Sequence, residues 1–184
     1  MSHQFPAKET SKQYSAADAK VRVFTFKEGL LSAVAHDLEI DVPVFKIDVD
    51  GETVRGTFFA RSLRVLHAMD GAKPKQGALS EREKKTIESN IAGDVLQSAR
   101  YPEIRFEGSV KRSETGAMEA LIEGTLSIAG RSRQVRIEAR LEGDLWRAET
   151  TLHQPDFGIK PYSAMLGALK IKPDVRVTLS LSTK

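Results

Sequence analysis

"QVRIEARLEG", residues 134–143, decides the fold class. Val135, Ile137, Ala139 and Leu141 alternate there with Gln134, Arg136, Glu138, Arg140 and Glu142. Successive side chains of an extended strand point to opposite faces, so this period of two puts one face in a core and the other in water. The alternation recurs in "EIRFEGSV", where Ile104, Phe106, Gly108 and Val110 share a face, and in "DVRVTLSL", where Val175, Val177, Leu179 and Leu181 do. Asp50-Gly51, Thr115-Gly116, Ala129-Gly130 and Gly143-Asp144 fall between such runs, where glycine supplies the positive φ of a tight hairpin. The pattern predicts about eight strands, near 20–26, 38–49, 53–66, 103–113, 117–129, 133–143, 145–155 and 174–182. One wet face per strand and a hairpin order imply a mainly β fold, a single antiparallel eight-stranded barrel.

Three segments break the rhythm. In "LSEREKKTIESNIAGDVLQSARYP", Ser80 and Glu83 make a capping box, Ile87, Ile91 and Val95 lie one turn apart, and Pro102 follows, which predicts one long helix. "GLLSAVAHD", residues 29–37, reads as a helical turn. "FGIKPYSAMLGAL", residues 157–169, reads as a short helical lid, with Pro161 in its first turn, Met165, Leu166 and Leu169 on its apolar side and Pro173 as its stop. Residues 1–19 are polar and aperiodic, a flexible N-terminal arm ahead of a domain at 20–184.

The 184 residues suffice for one domain with a substantial core, and the absence of cysteine removes disulfides and thiolate-bound metals. The opening residues lack the apolar stretch of a secretory signal, and no run reaches membrane-spanning length. As written, the expected location is cytoplasmic, or periplasmic if the N-terminus has been processed, without stable membrane insertion. The 28 basic and 25 acidic residues interleave, giving a mixed solvated surface and no nucleic-acid stripe. Arg131, Arg133, Arg136 and Arg140 belong to that surface, with glutamates between them. Phosphate-binding glycine loops and the serine-hydrolase elbow are absent.

Four stretches in order carry a resemblance: "AHDLEI", "SARYPEIRFEG", "EGTLSIAGRSRQVRIEA" and "PDFGIKPYSAMLG". Together they cover residues from about 20 to 183, and the chain resembles the YceI-like family. The resemblance implies a lipocalin-like barrel that binds polyisoprenoid or other lipid-like molecules.

Read consistently, the inner face carries Gly56, Phe58 and Ala60, then Ile104 and Phe106, then Met118, Ala120, Ile122, Gly124 and Leu126. Eight strands enclose an interior that side chains either fill or leave open to one small ligand. Small inner residues leave room, or else glycines bend the strands around a dry core. The resemblance favours room. The expected ligand contacts are Phe24, Phe58, Phe106, Ile122 and Leu126 in the barrel, with Phe157, Tyr162, Met165 and Leu166 at the lid. His36 is the expected head-group contact. The expected role is non-enzymatic carriage or sequestration of an isoprenoid, quinone or fatty-acid-like molecule, with no catalytic residue, metal or required cofactor. Two alternatives stand beside it: metal-assisted hydrolysis near His36 and His153, aided by Asp37 and Asp156, and a filled barrel serving protein interaction. No tight metal-ligand spacing supports the hydrolase. An exposed strand edge would allow a homodimer.

Overall fold

A computed structural model describes residues 11–28, 35–112 and 118–184. The strands are β1 (Lys12–Tyr14), β2 (Ala19–Thr25), β3 (Asp37–Asp41), β4 (Phe45–Asp50), β5 (Thr53–Phe59), β6 (Arg64–Asp70) and β7 (Lys73–Lys75). After helix α1 (Glu81–Asn90) come β8 (Glu103–Arg112), β9 (Glu119–Ile128), β10 (Arg131–Glu142) and β11 (Leu145–His153), then β12 (Ser163–Ala164), β13 (Leu169–Lys170) and β14 (Asp174–Ser182). Twelve of them form one sheet in the order β1-β4-β5-β8-β9-β10-β11-β14-β2-β3-β6-β7, while β12 and β13 pair separately.

The sheet curls because two short links leave the chain no choice. β3 and β4 are consecutive in sequence yet stand near opposite ends of the sheet, with residues 42–44 between them. An extended chain advances at most about 3.6 Å per residue, so this link holds the two ends close together. Residues 60–63 repeat the constraint between β5 and β6. The result is a curled sheet with edges at β1 and β7, which replaces the closed eight-stranded barrel expected above. The difference in number has a local cause. Pro43 cannot donate to a ladder and splits the run 38–49 into β3 and β4, and a 3-10 turn at Ala60–Ser62 ends β5 before β6 begins. β1 and β7 are too short to show a period. Lys73-Pro74-Lys75 gives the β7 edge charge and a missing donor, a guard against further strand pairing.

The expected loose arm is corrected over its described part. Lys12–Tyr14 pairs with β4, and Tyr14 is 1% exposed. Residues 1–10 and 29–34 and the turn at Thr115-Gly116 lie outside the described residues, so the helical turn expected at 29–37 is described only from Ala35 onward. The helix at Ser80 forms as read: the Ser80 hydroxyl accepts from the Glu83 N–H at 3.3 Å, and the Glu83 carboxylate accepts from the Ser80 N–H at 2.8 Å. It is shorter than expected, passing at Ile91–Val95 into a π-helical turn closed by Leu96 N–H to the Ile91 carbonyl at 2.9 Å. The Val65 N–H donates to the Glu88 carboxylate at 2.8 Å and ties α1 to β6.

The core is divided along its length. Toward the turns at Gly51 and Gly143, Tyr14, Val49, Leu141, Trp146 and Leu181 are all buried, the last three side by side across β10, β11 and β14, and they close the interior as a floor. Burial, with Asp18 adding to it, pushes the Tyr14 hydroxyl up to about 12 from 10.0. An unfolded tyrosine loses its proton at the lower value and the folded one at the higher. Stability from this group is therefore whole below pH 10 and declines as pH rises toward 12. Denaturant titrations across this window should show a loss of about 1–3 kcal/mol that Tyr14→Phe abolishes. An unchanged slope in that variant would remove Tyr14 as the cause.

Candidate functional site

Above the floor the interior is open. A cavity of about 620 Å³ lies between the inner faces of the sheet, α1 and its π-helical turn, and the segment after β11. That volume is in the range of pockets that hold one small organic ligand. The strand register builds its wall in rows: Val23, Val177 and Thr150 are neighbours across β2, β14 and β11, Ile137 and Ile122 are neighbours across β10 and β9, and all five face the space. Val177 and Leu179 remain half-buried although they lie on the concave side, because the cavity leaves their inner surfaces unpacked.

The inner glycines do different work from that expected of them. Gly108 and Gly124 stand directly opposite each other on β8 and β9. The Phe106 ring folds flat over both: a Cβ on either glycine would lie 2.7 Å from its Cζ. Phe58 covers Gly56 in the same way, with its Cε2 at 2.8 Å from the position of a Cβ. The aromatics therefore line the wall instead of crossing the interior, and the glycines make room by letting rings lie down.

The polar members of the lining gather beside α1. Arg82, Glu83 and Thr86 are exposed and line the cavity, which places its mouth along that helix. His36 and Tyr162 complete the rim, and Asn90 donates from Nδ2 to the Tyr162 hydroxyl at 3.0 Å. Hydrogen bonds from the Ser80 hydroxyl and backbone N–H hold the Glu83 carboxyl below its ordinary range, with the nearby His36 adding a little. At the same end, Thr25, the last residue of β2, faces the space with a buried hydroxyl that meets no hydrogen-bond partner among the described residues.

Of the ten expected contacts, the structure gathers His36, Phe58, Phe106, Ile122, Leu126, Phe157 and Tyr162 around this one cavity. Three lie elsewhere. Phe24 occupies the outer position of β2, one residue out of phase with Val23 and Thr25, and its ring stacks under the Arg176 guanidinium at 4.6 Å. Met165 and Leu166 form no helical lid. They sit at the tip of the β12–β13 hairpin, 65% and 109% exposed, with φ of 53° and 56°. Three apolar residues at helical spacing misled the periodicity, because Gly167, at φ 88°, completes a left-handed turn that reverses the chain. Met118, expected on the inner face, is 62% exposed and precedes β9.

Sequence reasoning missed the floor and the polar rim of α1. Trp146 could have been found, since it shares the period of Ala148 on β11. Tyr14 had no periodic signal around it. His153 does not join His36: it lies outside the cavity lining and binds Asp174 through Nδ1 at 2.6 Å. Among the described residues, no three His, Asp or Glu side chains are grouped to hold a metal ion. Arg140 pairs with Glu119 at 3.6 Å, as expected of a solvated face. No described helix is long and apolar enough to cross a membrane.

Comparison with known proteins follows the same lines. The family model of the YceI-like domain matches residues 19–183. No curated protein sequence matches significantly. Among solved structures, Burkholderia cenocepacia BcnA is similar at 15% identity with a TM-score of 0.61, covering 91% of this chain and 97% of its own. A polyisoprenoid-binding domain from Saccharophagus degradans, implicated in plant cell wall breakdown, is similar at 12% identity with a TM-score of 0.60, covering 95% and 97%. At these identities the likeness is one of fold.

Proposed function

This chain belongs to the YceI-like family, and from that premise we propose that it carries or sequesters one long-chain apolar molecule, an isoprenoid, quinone or fatty-acid-like lipid, without acting on it chemically. The observation that carries the reading is the apolar cavity of about 620 Å³, closed by a floor at one end and open beside α1 at the other. The name of the Saccharophagus degradans domain supports the same ligand class.

The mechanism is burial. Each methylene taken from water into the cavity contributes about 0.8 kcal/mol, so a ten-carbon chain gains on the order of 8 kcal/mol before the cost of ordering it. Phe58, Phe106, Ile122, Leu126 and Phe157 supply the contact surface and impose little direction on it. Direction comes from the rim, where Tyr162, Asn90 and His36 hold a polar head near the mouth, and from the Thr25 hydroxyl, which can meet one polar atom at the same end. Arg82 and Glu83 bring opposite charges to the same rim.

Native mass spectrometry of freshly purified protein, followed by organic extraction, tests the reading. The expected spectrum shows one adduct per chain that leaves on denaturation and extracts as a long-chain species. A clean unliganded mass, with no uptake of added quinone, prenol or fatty acid, would overturn it.

A further inference from the structure

The hairpin beside the mouth has no use within the cavity. Residues 164–169, "AMLGAL", contain no polar side chain, and the two large ones at the tip are the most exposed apolar groups among the described residues. Leu166 touches almost nothing of its own chain. Met165 and Leu166 also hold left-handed backbone, a conformation that aliphatic side chains rarely adopt and that proteins retain chiefly where it serves a purpose. The base of the hairpin is firmly seated: Leu169, Ile171 and Tyr162 line the cavity, Glu28 N–H donates to the Lys170 carbonyl at 2.8 Å, and Asn90 holds Tyr162. This stem holds an apolar tip away from the protein at the lip of the cavity.

The charges around the tip say what it meets. The segment from Phe157 to Pro173 carries Lys160, Lys170 and Lys172, all exposed, and Asp and Glu are absent from it after Phe157. Lys170 pairs with Glu28 at 2.8 Å, which leaves Lys160 and Lys172 facing outward. An apolar tip between cations matches a surface that is anionic outside and hydrocarbon within. We propose that the Met165–Leu166 hairpin docks the protein on an anionic lipid bilayer and brings the cavity mouth against it. The inference goes beyond carriage, and the two readings fail separately, because docking is measured on vesicles and cargo by extraction.

The test is co-sedimentation with phosphatidylcholine vesicles containing about one-third phosphatidylglycerol, and with phosphatidylcholine alone. The chain is expected to sediment with the first and only weakly with the second, with binding falling as salt is raised. Leu166→Asn suits the left-handed backbone, so it should keep or raise the thermal midpoint, retain extractable cargo and lower vesicle binding about tenfold. Lys160→Glu with Lys172→Glu should lower it further, by removing the electrostatic part. Docking is overturned if the parent chain stays in the supernatant, if Leu166→Asn sediments like the parent, or if sedimentation velocity shows that the tip holds two copies together and Leu166→Asn separates them.

Discussion

Val177→Trp is expected to empty the cavity, with bound long-chain ligand falling at least about tenfold while the protein stays folded. Val177 lies mid-wall between Val23 and Thr150, half-buried only because its inner surface faces open space. An indole there projects into volume that no side chain occupies. The usual penalty for overpacking, about 1–3 kcal/mol, is therefore reduced, and new dispersion contacts offset part of it. The control is one residue away. Thr178 pairs with Arg22 and Glu149 on the outer face, so Thr178→Trp changes composition equally and leaves the interior untouched. Native mass spectra of both variants should show cargo lost in the first and kept in the second. Equal cargo in the two would place the ligand elsewhere and end the cavity reading.

That one-residue contrast also marks how much of the fold was legible. The alternation in "QVRIEARLEG" and "DVRVTLSL" returns as β10 and β14, with the expected face buried or turned to the cavity, because period two follows from backbone geometry alone. The capping box at Ser80 was equally readable, since its partners lie within four residues. What period two does not encode is where a strand stops when the chain continues extended. Pro43 interrupts a stretch that stays extended on both sides, and the pairing of β3 with β2 and of β4 with β5 shows two strands in place of one. β1 has three residues, fewer than a period can establish, yet it delivers the buried Tyr14.

The site was legible as a face and illegible as a shape. Ile122, Leu126 and Phe106 follow from alternation, and they line the cavity. Whether an apolar face encloses a void depends on what crosses from the other side, a property of tertiary packing. The interior is packed at the end that holds Trp146 and Tyr14 and open where Val177 and α1 line the cavity, a division that alternation along single strands does not reveal. Phe24 shows the limit of such inference. An aromatic in an apolar strand invites assignment to the interior, but its parity with Arg22 sets it outside, under Arg176.

Gly124→Ala is expected to cost about 2–4 kcal/mol, a large effect for one methyl group. The Cβ would fall against the Glu107 carbonyl oxygen, 2.6 Å from the Gly108 Cα and 2.7 Å from the Phe106 Cζ. The ring can swing away, but the backbone of β8 cannot without breaking its ladder to β9. The same substitution at Gly93 meets nothing within 4 Å and requires no unusual φ, so Gly93→Ala should be neutral or slightly stabilising through its higher helical propensity. Urea midpoints of the two variants separate close approach from loss of flexibility, because both replace glycine with alanine. A ring displaced by Gly124→Ala has only the cavity to enter, so the surviving folded protein should also hold less cargo. If Gly124→Ala proves as mild as Gly93→Ala, the β8–β9 approach is looser than described, and the flat seating of Phe106 cannot be what keeps the cavity open.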